Sequence, residues 1–281
     1  MREQTFSSPA KINLCLHVLG RRDDGYHELA MAMQRVNLCD QIWIRPGGMP
    51  GIRVQCAGVE LAAGEENIAA RAARLMLAEA QLDIAIEIEI EKQIPVAAGL
   101  GGGSSNAATV LLGLDQLLDL NLGKNRLMEL GAQLGADVPF FIFSDPAWAT
   151  GTGTRLEPLP PLPEVAYLLL NPKIAVSTAW AYQSLQLTRG GELANLPRFS
   201  VVTRDDLCAA LHNDLERVVF RRYPLLAEIK QMLLAQGASG ALMSGSGATL
   251  FGVYPDMAAA ERAAAKVTKT TDWLVYSVQP I

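Results

Sequence analysis

Pro95-Val-Ala-Ala-Gly-Leu-Gly-Gly-Gly-Ser-Ser-Asn-Ala107 places four glycines (Gly99, Gly101, Gly102 and Gly103) within five positions, interrupted only by Leu100. Without Cβ atoms, such a backbone can wrap closely around a bulky anion. Ser104, Ser105 and Asn106 then supply hydroxyl and amide groups, and residues 107–118 read as an apolar helix. A glycine loop that opens a helix presents unpaired N–H groups and the positive end of the helix dipole, a combination that binds phosphate. The ligand indicated is the phosphate tail of a nucleotide. A mobile glycine linker is the bland alternative, but linkers are rarely bounded by a proline and an immediate apolar helix. No Lys-Ser/Thr pair follows the glycines, which excludes the Walker A loop. The preceding segment reads as a strand, with Ile84, Ile86, Ile88 and Ile90 alternating with Glu87, Glu89 and Glu91, yet the glycine spacing is not that of a dinucleotide fold.

Working outward, 281 residues are long for one core, so two domains are expected. Half of the residues are apolar and 19% are charged, the profile of a soluble globular protein. No apolar run approaches the ~18 residues of a membrane span. The amino terminus lacks the apolar stretch of a secretory signal. Cys15, Cys39, Cys56 and Cys208 are widely spaced, which fits buried thiols in a reducing cytoplasm better than a zinc site or disulfides. A net charge of −5 argues against a nucleic-acid partner. It also means that local donors and a few placed cations must hold any anionic ligand.

Residues 12–19 suit a strand, followed by the charged turn Arg21–Gly25. Asp40–Arg45 alternates and stops at Pro46-Gly-Gly. Residues 66–80 are rich in helix formers, and a second helix is expected over Lys124–Leu134. Leu156-Glu-Pro-Leu-Pro-Pro-Leu-Pro163 carries four prolines in eight residues and is expected to interrupt both helix and sheet. It is the candidate linker between a first domain, 1–156, and a second, 164–281. In the second, Ala166–Leu170 reads as a strand, Asp205–Val219 and Pro224–Gln236 as helices, and Arg189–Arg198 as a polar loop. Ser244-Gly-Ser-Gly-Ala-Thr leads into another strand, and an alanine-rich helix and the strand Trp273–Val278 close the chain.

Several residues could carry chemistry. Lys11 and Asn13, two apart, share one face of an extended strand; alone, Lys11 reads as a solvated surface lysine. Gly25-Tyr-His-Glu-Leu29 offers an aromatic ring, an imidazole and a carboxylate, or simply a turn with a packed tyrosine. Asp137 enters the apolar stretch Val-Pro-Phe-Phe and could be a cap. Gly245 and Gly247 could form a tight turn and nothing more.

Taken together, Pro-Ala-Lys-Ile-Asn near the start, the Gly-Leu-Gly-Gly-Gly-Ser-Ser loop, Gly-Ala-Asp-Val-Pro and Ser-Gly-Ser-Gly-Ala-Thr resemble, in order and over essentially the whole chain, the motif set of the GHMP kinases. The triple glycine with Gly-Tyr-His-Glu-Leu resembles more narrowly those members that act on a cytidine-diphosphate alcohol of the non-mevalonate isoprenoid pathway. The resemblance implies a two-lobed α/β (α+β) fold, S5-like at the amino end with an unusual left-handed βαβ connection and ferredoxin-like at the carboxyl end. It implies ATP as co-substrate and magnesium with it, although no dedicated carboxylate cage is visible and metal ligands stay unassigned. Asp137 would be the catalytic carboxylate that receives the proton of the attacking hydroxyl, and Lys11 would hold it ionised. Asn67, Lys92, Pro95 and the loop from Gly99 through Leu100, Gly101, Gly102, Gly103 and Ser104 to Ser105 would surround ATP. Asn13, Gly245 and Gly247 would face the alcohol. Tyr26 and His27 would recognise cytosine, with Tyr182 stacking on its other face. Val96-Ala-Ala98 departs from the more glycine-rich lead-in of the family, which would stiffen the loop, and Tyr182 stands where relatives carry phenylalanine.

Overall fold

The computed structural model describes residues 3–58, 66–185 and 198–281. Two long strands open the chain, β1 (Gln4–Arg21) and β2 (His27–Pro46), followed by β3 (Ile52–Cys56), α1 (Ile68–Glu79) and β4 (Ile86–Glu91). Then come α2 (Gly102–Leu117), α3 (Lys124–Leu134), α4 (Val138–Phe143), β5 (Ala147–Gly151), β6 (Arg155–Pro158) and β7 (Ala166–Asn171). The remainder holds α5 (Thr178–Gln183), α6 (Arg204–Ala210), β8 (His212–Asn213), α7 (Glu216–Arg222) and α8 (Pro224–Ala235). It closes with β9 (Gly240–Met243), β10 (Leu250–Tyr254), α9 (Met257–Val267) and β11 (Leu274–Val278).

Two compact units interleave along the sequence: one gathers residues up to Ala10, Leu38–Val96 and Gly101–Ser144, the other Lys11–Asn37, Ala97–Leu100 and Asp145 onward. Compactness therefore divides the chain differently from composition, because β1 and β2 each contribute to both units.

In the first unit the strand order is β3-β4-β2-β1. The alternation read in the sequence is present in β4. Ile86, Ile88 and Ile90 are buried while Glu89 and Glu91 are exposed, and Ile88 and Ile90 lie opposite the buried Ile44 and Ile42 of β2. Each such isoleucine contributes about 1.5–3 kcal/mol by leaving water. β3 runs parallel to β4, and α1 connects the two. The alanines of α1 (Ala69, Ala70, Ala72 and Ala73) face inward and let it pack closely on α2.

In the second unit, β7, β9, β10 and β11 form an antiparallel sheet of order β11-β7-β10-β9. With α8 and α9 packed on it, the order strand-helix-strand-strand-helix-strand is ferredoxin-like. Every residue of β7 and β10 is buried, which explains their continuous apolar runs. The Tyr167 hydroxyl in this core donates to Gln34 Oε1 at 2.8 Å.

Two expectations need correction, and one strand carried no signal in the sequence. The first half of β2 gives no strand signal, because Leu29–Met33 is buried throughout between neighbours and shows no alternation; it pairs with β5. Asp205–Val219 is not one helix: α6 ends at Ala210, and His212 and Asn213 join β1 as a short parallel strand before α7 begins. Tertiary bonds of Asn213, described below, outweigh the local helix preference. The proline-rich stretch does not break the sheet at Leu156, because Arg155–Pro158 pairs with β5 alone as an edge strand, where a proline without an N–H is tolerated. The polar loop near Arg189 lies, except for Arg198, outside the described residues.

Candidate active site

The glycine loop runs from β4 to α2; Pro95 and Val96 and the residues from Gly101 onward belong to the first unit, and Ala97–Leu100 to the second. A buried carboxylate, Asp40 of β2, fastens both ends. Its Oδ1 accepts from the N–H groups of Gln93 (2.8 Å) and Ile94 (2.9 Å), and its Oδ2 accepts from Asn106 Nδ2 (2.8 Å) and pairs with Lys92. Lys92 Nζ also donates to Asn106 Oδ1 at 3.3 Å. Ser8 completes the group, accepting from Asn106 Nδ2 and donating to Ser105 Oγ. A charge with no exposure is tolerable only with this many donors. The sequence reading missed Asp40 altogether, since it looks like one more polar position on a strand.

Gly101, at φ +70°, is the N-cap of α2, and no side chain caps the helix. The first-turn N–H groups of Gly102, Gly103 and Ser104 therefore have no intrahelical acceptor. Gly102 is required for contact: a Cβ there would come 3.0 Å from Ile94 Cγ2 and 3.1 Å from Lys92 Nζ. Ser105 is fully buried, and its N–H bonds to the Gly101 carbonyl. Ser104 is partly exposed and lies against Gly135, at the start of the segment carrying Asp137. Asn67 caps α1, its Oδ1 accepting from Ala69 N at 2.9 Å. Asp137 is the N-cap residue of α4, yet its carboxylate makes no capping bond to that helix. α4 itself is fixed by burial of Val138–Ile142 and by Gly131, whose missing Cβ leaves room for Val138 and Ile142.

The second unit brings together the remaining motifs. Lys11 is 4% exposed, so the solvated-lysine reading fails. Its N–H donates to the Leu100 carbonyl at 2.9 Å, and its Nζ donates to Asn13 Oδ1 at 2.5 Å, as two side chains on one strand face should. Ser244 joins three motifs through one hydroxyl: it accepts from Asn13 N–H at 3.2 Å and donates to the Gly99 carbonyl at 2.9 Å. Asn213 holds the same loop from below, its Nδ2 donating to the carbonyls of Met243 (2.7 Å) and Gly245 (2.8 Å). Gly99, at φ +77°, can only be glycine, since a Cβ would collide with the Ser244 carbonyl. Neither Ser244 nor Asn213 was singled out in the sequence. The serine was readable from its place in Ser-Gly-Ser-Gly, the asparagine was not.

Tyr26 is exposed on the turn before β2, while His27 is partly buried and its ring contacts Tyr182, with centroids 5.2 Å apart. Burial, and secondarily the nearby Arg21, push the His27 imidazole below its ordinary pKa, so it is neutral at pH 7. Two rings in direct contact leave no room for a base between them; a base would stack on the outer face of the pair. Pro95 lies in the lead-in to the loop in the first unit, and Gly247, at φ +86°, follows Ser246, whose Oγ is 2.8 Å from Thr178 Oγ1. Among the described residues no helix is long and apolar enough to cross a membrane.

The chain can be set beside known proteins on this basis. Residues 67–145 match the family described as GHMP kinases N terminal domain, and residues 199–271 match GHMP kinases C terminal. A 4-diphosphocytidyl-2-C-methyl-D-erythritol kinase of Syntrophotalea carbinolica is 54% identical over 99% of each chain, and one of a Geobacter species is 52% identical over 100% of each. A crystal structure of a 4-(cytidine 5'-diphospho)-2C-methyl-D-erythritol kinase superposes with a TM-score of 0.82 at 36% identity, covering 98% of this chain and 99% of that one. The homoserine kinase of Cytophaga hutchinsonii shares the fold at 17% identity, with a TM-score of 0.73 over 99% and 96% of the two chains. Glycine loop, lysine strand, aspartate segment and Ser-Gly loop thus occur in a sequence matched along both halves, and the chain belongs to the GHMP kinase family.

Proposed function

We propose that this chain transfers the γ-phosphoryl group of ATP to the 2-hydroxyl of 4-diphosphocytidyl-2-C-methyl-D-erythritol, as a cytoplasmic step of non-mevalonate isoprenoid synthesis. The observation that carries the reading is whole-length identity of about half to kinases named for that substrate. Magnesium arrives as part of the ATP complex, bound mainly by the phosphates.

Magnitudes limit what Asp137 does. A carboxylate has a pKa of about 4 and a hydroxyl about 16, so full deprotonation before attack would cost on the order of 16 kcal/mol. The proton therefore moves late, as the bond to phosphorus forms in a loose transition state. Asp137 orients the hydroxyl as much as it deprotonates it. Lys11 and the N–H groups of Gly102 to Ser104 supply positive charge where the phosphoryl oxygens gain negative charge. Lys92, Asn67 and Pro95 support the nucleotide end, Lys92 through its bond network. Asn13, Gly245 and Gly247 face the alcohol. A neutral His27 offers one donor and one acceptor to a cytosine edge, and Tyr26 and Tyr182 offer ring faces.

A smaller alcohol such as homoserine or mevalonate is the competing substrate, since the same transfer chemistry serves it. The aromatic pair His27–Tyr182 favours a base-bearing substrate. ATP turnover on a panel of the three alcohols decides: activity confined to homoserine or mevalonate would remove the cytidyl reading.

A further inference from the structure

Three side chains of the second unit take no part in the chemistry above: His17 on β1, His212 on β8, and Asp214 just after it. β1 and β8 run parallel, with Cys15 opposite His212 and Leu16 opposite Asn213. Side chains alternate along a strand, so His212 and Asp214 project to one side and Asn213 to the other. His17, two residues beyond Cys15, projects to the same side as His212 and Asp214. The imidazoles of His17 and His212 are stacked, with centroids 4.4 Å apart and planes 13° from parallel. His212 Nε2 lies 2.8 Å from Asp214 Oδ1, and one ligand atom from each of the three residues lies within 4.8 Å of the others. Among the described residues neither ring nitrogen of His17 has a hydrogen-bond partner.

We propose that His17, His212 and Asp214 form a binding site for a divalent transition-metal ion of the zinc class. Two imidazoles and one carboxylate are a donor set that zinc accepts with water in the fourth position. They suit magnesium poorly, because it prefers oxygen ligands and keeps its waters. Bonds of about 2.0–2.1 Å in a tetrahedron put ligand atoms roughly 3.3 Å apart. The His212–Asp214 pair is already close to that separation. The remaining spacings, all within 4.8 Å, must shorten by up to about 1.5 Å, with the ring stack opening so that the two lone pairs converge. His212 can turn, its side chain being about half exposed. Asp214 needs little movement, because its Oδ2 accepts from Val18 N–H at 2.7 Å and the carboxylate is oriented by that bond. Binding replaces the His212–Asp214 hydrogen bond with two metal–ligand bonds, with His212 bound through Nε2 as the neutral imidazole whose one proton sits on Nδ1, any second proton leaving to solvent. The platform is two hydrogen-bonded strands, which fix ligand positions better than a loop. Asn213, between two of the ligands, faces the other way and holds the Met243 and Gly245 carbonyls.

The test is equilibrium dialysis of the full-length, chelator-stripped protein against Zn2+ in the presence of excess Mg2+, with Co2+ as a spectroscopic probe. The expected result is one equivalent of Zn2+, visible bands of four-coordinate Co2+, and at least tenfold weaker binding in His17→Gln and in Asp214→Asn. Asparagine keeps an acceptor for Val18, and far-UV circular dichroism verifies that both variants are folded. No saturable uptake by the unaltered protein would overturn the proposal. So would equal uptake by folded variants, which would assign the ion to the cysteines, or loss of Zn2+ to Mg2+ competition.

Discussion

Replacing Asp40 with asparagine tests the idea that one buried carboxylate holds both ends of the glycine loop. Asparagine retains an oxygen for the N–H groups of Gln93 and Ile94, but it turns an amide toward Lys92 and Asn106. The ion pair with Lys92 and the bond from Asn106 are lost together. Lys92 is 13% exposed and Asp40 is fully buried, so solvent screens the pair little. Breaking a buried pair by removing one partner costs about 3–5 kcal/mol. The lost charge-assisted bond from Asn106 adds to that, about 1.5–3 kcal/mol taken alone, though the two overlap and do not sum. The expected loss is about 4 kcal/mol, a large fraction of the ~5–15 kcal/mol that holds a domain folded. In urea, with a slope of about 2–3 kcal/mol per molar, the midpoint should fall by roughly 1.5 M. The double variant Asp40→Asn with Lys92→Met removes the stranded ammonium and should recover about 2 kcal/mol or more relative to additivity. A loss below about 1 kcal/mol, or strict additivity in that cycle, would refute the reasoning.

Other consequences follow from the same geometry. Gly99→Ala places a methyl group against the Ser244 carbonyl at a positive φ, so stability should fall by about 1–3 kcal/mol and kcat should fall with it, read by thermal melting and turnover. Ala97 already carries a Cβ at φ +51°, so Ala97→Gly should be neutral or stabilising by up to about 1 kcal/mol in a urea titration. Tyr182→Ala should raise KM for the cytidyl substrate severalfold while leaving KM for ATP unchanged, in steady-state kinetics.

Much of the site was legible because its chemistry needs particular residue types. Only glycine fits the backbone of the loop at 99, glycine suits the left-handed backbone at 101, and the alternation of isoleucine and glutamate marked the strand that delivers it. The Lys11-Ile12-Asn13 pairing followed from strand periodicity alone. What escaped the sequence depends on partners distant in the chain. Asp40 matters because Gln93, Ile94 and Asn106 converge on it from more than fifty residues away. Asn213 breaks an expected helix because two carbonyls thirty residues further on need its amide. The first half of β2 was silent because a strand covered on both sides has no polar face to alternate. The burial of Lys11 was hidden for a related reason, since burial of a lysine is set by neighbours and leaves no trace in its own spacing. The division into compact units was hidden too, since no composition shift marks the points where β1 and β2 pass from one unit to the other.

The most direct measurement is ATP turnover by the purified protein with magnesium and 4-diphosphocytidyl-2-C-methyl-D-erythritol, beside homoserine and mevalonate, with Asp137→Ala as the matched variant. The account predicts turnover on the cytidyl substrate alone, reduced at least a hundredfold in the variant. Turnover on homoserine or mevalonate in its place, or an undiminished rate without the Asp137 carboxylate, would contradict it.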